Sequence, residues 1–111
     1  MKVKELIDHL DCRLHAEGRP DEDVYRGVAG DLLSHVMGAA PEGSCWVTIQ
    51  THVNVAAVAV LKEMPLVILA SDREPAPDLV ERCLKEGICL VSTPLSIFEV
   101  CSRLGNLGIE G

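Results

Sequence analysis

Apolar positions in this chain change spacing several times, and each change marks a predicted element. Val3, Leu6, Ile7 and Leu10 recur at i, i+3, i+4 and i+7, the spacing of one buried helical face, so a short amphipathic helix is expected first. Between Asp11 and Ala16 a short strand is expected around Leu14, followed by a polar loop with Gly and Pro from Glu17 to Asp23. Val24 to Ala29 is β-prone and runs into Gly30-Asp31. There Asp31 fits an N-cap for a helix whose apolar positions are Leu32, Leu33, Val36 and Met37. Pro41 and Gly43 break the segment from Ala39 to Ser44.

From Trp46 the pattern becomes regular. Strands are predicted at Trp46–Ile49, Leu66–Leu69 and Ile88–Val91, alternating with helices at Val53–Met64, Ala76–Glu86 and Pro94–Leu104. Pro77 and Pro94 fit first-turn positions, Thr93 a cap before Pro94, and Gly87 and Gly105 helix ends. The strands are continuously apolar rather than alternating, as in a parallel sheet covered on both faces. The expected fold is therefore α/β: a mainly parallel sheet of βα units with helices on both faces. Residues 1–16 supply the N-terminal helix and short strand, and 24–109 the α/β core of a single domain.

Length agrees with one domain, since 111 residues leave no room for a second core. Hydrophobic residues make up 48% of the chain, which excludes a disordered or low-complexity protein. The longest strongly apolar run, Val55 to Leu61, is too short for a bilayer helix, and Met1-Lys2-Val3-Lys4-Glu5 lacks an apolar signal core. A cytoplasmic protein without membrane association is the resulting expectation. Ten basic against seventeen acidic residues give a net charge of −7, and one each of Trp, Tyr and Phe leaves no base-stacking platform, so nucleic acid is not an expected partner. Cys12, Cys45, Cys83, Cys89 and Cys101 include no C-x-x-C pair and are read mostly as core thiols, Cys83 and Cys101 on helix stripes.

Parallel strands joined by right-handed crossovers deliver every strand-to-helix turn to one edge of the sheet, where open α/β sheets bind ligands. The polar residues placed there are Asp31 and Ser34, then Gln50, Thr51, His52 and Asn54, then Asp72 and Arg73, then Thr93. Asp, Ser and Thr at such positions serve helix caps, whereas Gln50, His52 and Asn54 have no cap in common and suit a ligand or an interface. Amides of Gln50 and Asn54 would bond it, Arg73 would pair with an anion, and Thr51 and Thr93 would add hydroxyls. Asp31 would mainly cap. His35 and His52 with Asp31 and Asp72 assemble on paper into a nitrogen and carboxylate metal set, although no H-E-x-x-H or similar spacing supports it. His9 and His15 are read as solvated. No G-x-S-x-G, G-x-x-x-x-G-K-[ST] or G-x-G-x-x-G occurs, and no cofactor is implied.

The helix from Val53 to Met64 is apolar all round and must be covered on more than one side. Burial within the monomer accounts for this, and so does a symmetric dimer, with Ala56, Ala57 and Ala59 allowing close approach.

Three segments carry a resemblance: Gly30-Asp31-Leu32-Leu33-Ser34-His35-Val36-Met37, Trp46-Val47-Thr48-Ile49-Gln50-Thr51-His52-Val53-Asn54-Val55-Ala56-Ala57-Val58-Ala59, and Thr93-Pro94-Leu95-Ser96-Ile97-Phe98-Glu99. From Val24 to Ile109 the sequence resembles the DRTGG-domain family in its short stand-alone form. The eponymous string is absent, because Asp72-Arg73 is followed by Glu74-Pro75. The resemblance implies a compact α/β module related to the N-terminal domain of HPr kinase/phosphorylase. Such modules also stand beside CBS domains in some pyrophosphatases and ahead of the catalytic part of some phosphotransacetylases. It further implies a regulatory, oligomerising or ligand-sensing role. Kinase activity is not implied, because phosphoryl transfer needs a phosphate cradle, a lysine and a metal-holding acid together. The combined expectation is a non-catalytic, homodimeric regulatory module that binds a small anionic metabolite or nucleotide. The alternatives are a protein-interaction adaptor without a small ligand and a small metal-dependent hydrolase.

Overall fold

The computed structural model describes all 111 residues, and its centre is a five-stranded sheet in the order β1-β5-β4-β3-β2. Strands β2 (Gly27–Ala29), β3 (Cys45–Thr48), β4 (Leu66–Leu69) and β5 (Cys89–Ser92) are mutually parallel, and β1 (Arg13–Ala16) adds antiparallel beside β5. The continuous apolar runs mean what their pattern implies: every residue of β3, β4 and β5 is buried.

Alternation of side chains divides the core in two. Trp46, Val67, Leu69 and Leu90 face one layer, formed by α2 (Leu33–Ala39), α3 (Asn54–Leu61) and α4 (Pro77–Glu86). Cys45, Val47, Leu66, Ile68, Cys89 and Val91 face the other, formed by α1 (Val3–Ile7) and α5 (Ile97–Asn106). The result is a three-layer α/β/α sandwich with helices on both faces.

Helix α3 sits between α2 and α4. That position explains its lack of a polar face, because the sheet and two neighbouring helices take up Val55, Ala56, Val58 and Ala59 within the monomer. Its outward positions stay apolar as well, and Leu61 is 67% exposed. The helix ends at Leu61 rather than Met64, because Glu63 turns left-handed with φ 52° and Met64 goes into the core.

Several caps differ from expectation. Asp31 does not cap α2: Leu32 occupies the cap position, and no side chain caps that helix. Thr93 and Pro94 do not open α5 either, because Ser96 does, accepting a hydrogen bond from the Glu99 amide at 3.1 Å. Gly105 lies within α5, and the left-handed glycine follows at Gly108. Pro77 and Gly87 bound α4 as expected, Gly87 at φ 71° with its amide on the Cys83 carbonyl. Strand β2 begins at Gly27, three residues later than Val24, and Val24 instead packs into the α1 and α5 layer.

Candidate functional site

In-register parallel pairing fixes the site. Ala29 pairs with Val47, Thr48 with Leu69 and Leu69 with Ser92, so four strands finish together. The turns after them are tied to one another. Gly30 donates its amide to Val47, Ala70 to Thr48, and Thr93 to Leu69. The Ala76 amide meets the Thr51 carbonyl at 3.1 Å, Asp72 donates to Thr93 at 2.8 Å, and Ser71 donates to Leu95 at 2.8 Å. Strand β1 enters at the same edge, where Arg13 forms an ion pair with Glu74 in the β4–α4 turn. Gln50 and Thr93 thus lie on one rim.

The rim residues divide into those already engaged and those free. The Asp31 carboxylate accepts the Thr48 hydroxyl and the Ile49 amide, both at 2.9 Å, and its carbonyl accepts from the Gln50 side chain at 3.1 Å. Thr93 is buried, and its hydroxyl donates to the Leu10 carbonyl at 2.6 Å, which holds the turn after α1 against β5. Nδ1 of exposed His52 accepts the Asn54 amide at 3.1 Å, steadying the start of α3. Ser34, Asn54, Asp72 and Arg73 are exposed, and Arg73 takes part in none of the protein's ion pairs.

Two further features of this edge were not read from sequence. Ser71 and Asp72 are consecutive left-handed residues, at φ 58° and 59°. In the β3–α3 turn the Gln50 amide donates to the Thr48 hydroxyl and the Asn54 amide to His52, while the amides of Thr51, His52 and Val53 meet no acceptor in the protein. Three donors in sequence at the head of a helix form an electropositive spot.

His15 corrects its expected solvation. A bulge between Leu14 and Ala16 turns the half-buried ring to Ser92, with Nε2 2.8 Å from the hydroxyl. The paper assembly of His35, His52, Asp31 and Asp72 does not form, since no three His, Cys, Asp or Glu side chains converge as metal ligands. The thiols are poor nucleophiles: burial pushes Cys45 and Cys89 up to about 12 and Cys83 to about 11, and it raises Cys12 and Cys101 as well.

A recess of about 480 Å³ opens at the opposite edge, where the parallel strands begin. Glu42, Glu63 and Glu86 line it with Arg19 and Glu22 of the β1–β2 loop, and Met64, Pro65 and Ile88 are among the residues beneath. Sequence reading missed it because its residues come from four separate connections. A smaller recess of about 240 Å³ lies between β2 and α5. No helix is long and apolar enough to cross a membrane.

No protein-family model and no curated protein sequence matches the chain. Among solved structures, it is similar to the CBS and DRTGG domains of the regulatory region of Clostridium perfringens pyrophosphatase, complexed with the activator diadenosine tetraphosphate. The match has a TM-score of 0.74 at 15% identity over 93% of this chain. The chain spans only 45% of that structure's length. At this identity the likeness establishes the fold, and the fold is DRTGG-like.

Proposed function

We propose that the protein is a non-catalytic regulatory module that senses a small anionic metabolite or nucleotide at the carboxyl ends of its parallel strands. The observation that carries this reading is the run of acceptor-free amides at Thr51, His52 and Val53, beside a turn that bears Arg73 without a counter-ion. An anion placed there would satisfy backbone donors and pair with a guanidinium. In this reading exposed Ser34 and Asn54 add polar contacts to the ligand, Gln50 is held by the Asp31 carbonyl, and Asp31 and Thr93, whose side chains are engaged internally, shape the turns. Asp72 is the second residue of the left-handed turn that precedes Arg73. The pyrophosphatase regulatory region has a nucleotide activator, which supports this ligand class.

In the same reading the module is a homodimer through the outer side of α3, where half-buried Ala57 and exposed Leu61 lie four residues apart. Isothermal titration with AMP, ADP, ATP, diadenosine tetraphosphate and inorganic phosphate tests the ligand. Binding that weakens about tenfold or more in Arg73→Ala supports it. Absence of heat with every one of these overturns it in favour of an adaptor that has no small ligand. Sedimentation of the wild type against Leu61→Lys tests the dimer, and a monomeric wild type at micromolar concentration would remove it.

A further inference from the structure

We infer that α5 is a self-association surface, in which Phe98 of each of two copies enters the recess between β2 and α5 of the other. That recess, about 240 Å³, is walled by Val28 and Ala29 of β2, by Cys101, Leu104 and Gly105 of α5, and by Ile109. An apolar cavity of about 150 Å³ takes up benzene, so a phenyl ring fits. Phe98 is the chain's one phenylalanine, and it is 84% exposed.

Spacing along α5 makes ring and recess self-complementary. Phe98, Cys101 and Gly105 recur at i, i+3 and i+7 and so share one side of the helix. Two α5 helices packed antiparallel about a two-fold axis near Cys101 and Ser102 bring Phe98 of each copy over Gly105 of the other. A methyl group on Gly105 would meet nothing within 4 Å. Alanine would therefore fit the monomer and favour the helix, so nothing inside the monomer calls for a glycine there. A facing aromatic ring does, because a bare backbone leaves it room to enter.

Charge selects the same surface. Copies of a chain with net charge −7 repel one another, so they associate best through a face without like charges. Phe98, Ser102 and Gly105, the exposed residues on this side of α5, are uncharged. Glu99 and Arg103 bond to each other, and Arg103 also reaches Asp11 and the His9 carbonyl, beside α1. Glu110, the one charged residue of the recess, lies opposite Arg26 in a β-bridge.

The area is of the right order. Seating both rings covers roughly 300 Å² of phenyl surface and about as much recess wall. That is about half of the roughly 1,200 Å² at the lower end of stable interfaces, and the flanking sides of the two helices are left to supply the rest. Helix α3 packs on the opposite face of the sheet, so this contact is separate from any made by α3.

Sedimentation in a Leu61→Lys background, where α3 is blocked, tests the contact apart from the α3 dimer. Leu61→Lys is expected to be dimeric at micromolar concentration, and adding Phe98→Ala to weaken association about tenfold or more with little change in melting temperature. Gly105→Ala in that background is expected to raise the melting temperature of the dilute protein while weakening association about three- to tenfold. In a mixture of ¹³C-labelled and unlabelled copies, isotope-filtered NOEs should join the Phe98 ring to the Val28 and Leu104 methyl groups of the other copy. A monomeric Leu61→Lys, undiminished association in Phe98→Ala or Gly105→Ala, or ring contacts elsewhere would each overturn the contact. Association that survives Phe98→Ala but not Leu61→Lys would assign self-association to α3 alone.

Discussion

The Asp31 carboxylate reaches sideways to β3, where it accepts the hydroxyl hydrogen of buried Thr48 and the adjacent Ile49 amide, both at 2.9 Å. It closes the gap where β2 and β3 diverge into their turns, and its own carbonyl holds Gln50 in place. Asp31→Ala is expected to leave the hydroxyl and the amide without their acceptor, lowering stability by about 2–3 kcal/mol, the usual cost of losing hydrogen bonds to a charged group. For a domain of this size that is roughly a 10 °C fall in Tm. Thr48→Val removes one of these two bonds together with the acceptor of the Gln50 amide, so a double-mutant cycle with Asp31→Ala isolates the shared bond and should return a positive coupling of about 1 kcal/mol. Additive losses would show that the contact contributes nothing.

The consecutive left-handed residues Ser71 and Asp72 hold the turn that displays Arg73. Serine gains less than aspartate from local bonding in this conformation, so it bears more of the strain. Ser71→Gly is expected to raise stability by about 0.5–1 kcal/mol, and Asp72→Gly by less. Chemical denaturation measures both. If strain at this turn positions Arg73 for an anion, Ser71→Gly will weaken the ligand while strengthening the fold. A loss of stability on either substitution would show that the side chains hold the turn rather than strain it.

Gly18 and Gly43 are both left-handed, at φ 62° and 76°, and they separate two reasons for a glycine. A methyl group on Gly18 would lie 2.3 Å from the Cys89 amide nitrogen, against the backbone of β5, whereas one on Gly43 would meet nothing within 4 Å. Gly43→Ala is expected to cost about 1 kcal/mol of backbone strain. Gly18→Ala is expected to cost about 3 kcal/mol or more, because the loop from β1 would have to lift off the sheet. Thermal melts of the two variants compare them directly, and equal losses would mean that the β1–β2 loop packs less closely on β5.

Local signals located most of this architecture. Leu66–Leu69 coincides with β4, and the proline and glycine around α4 mark its ends, because buried strands and helix termini are written in adjacent residues. What sequence could not show is which distant group each polar side chain meets. Asp31 and Thr93 have the composition of caps, yet their partners are 17, 18 and 83 residues away, so only the assembled sheet determines their roles. The shared rim was legible from βα order alone. The acidic recess was not, although the glutamate three residues before each of three strands was its trace in the sequence. The apolar helix α3 left two explanations open, and the fold accounts for its inner side by packing it between α2 and α4.

Buried thiols set the protein's behaviour at alkaline pH. Burial raises Cys45 and Cys89 from about 9 to about 12 and Cys83 to about 11, so the folded state keeps their protons where an unfolded chain releases them. Below pH 9 both states hold these protons and the thiols impose no pH dependence. Between about pH 9 and 12 the native state binds more protons than the unfolded one, so stability must fall as pH rises through that window. Cys45→Ala with Cys89→Val is expected to flatten this alkaline slope relative to the wild type, whatever its effect at neutral pH. Alkylation reports the same protonation: at pH 8 iodoacetamide should modify these three thiols only at the rate of unfolding, and all five readily in denaturant. Rapid modification of Cys45 or Cys89 in the native protein, or a stability independent of pH between 9 and 11, would show that these thiols are reached by water and ionise normally.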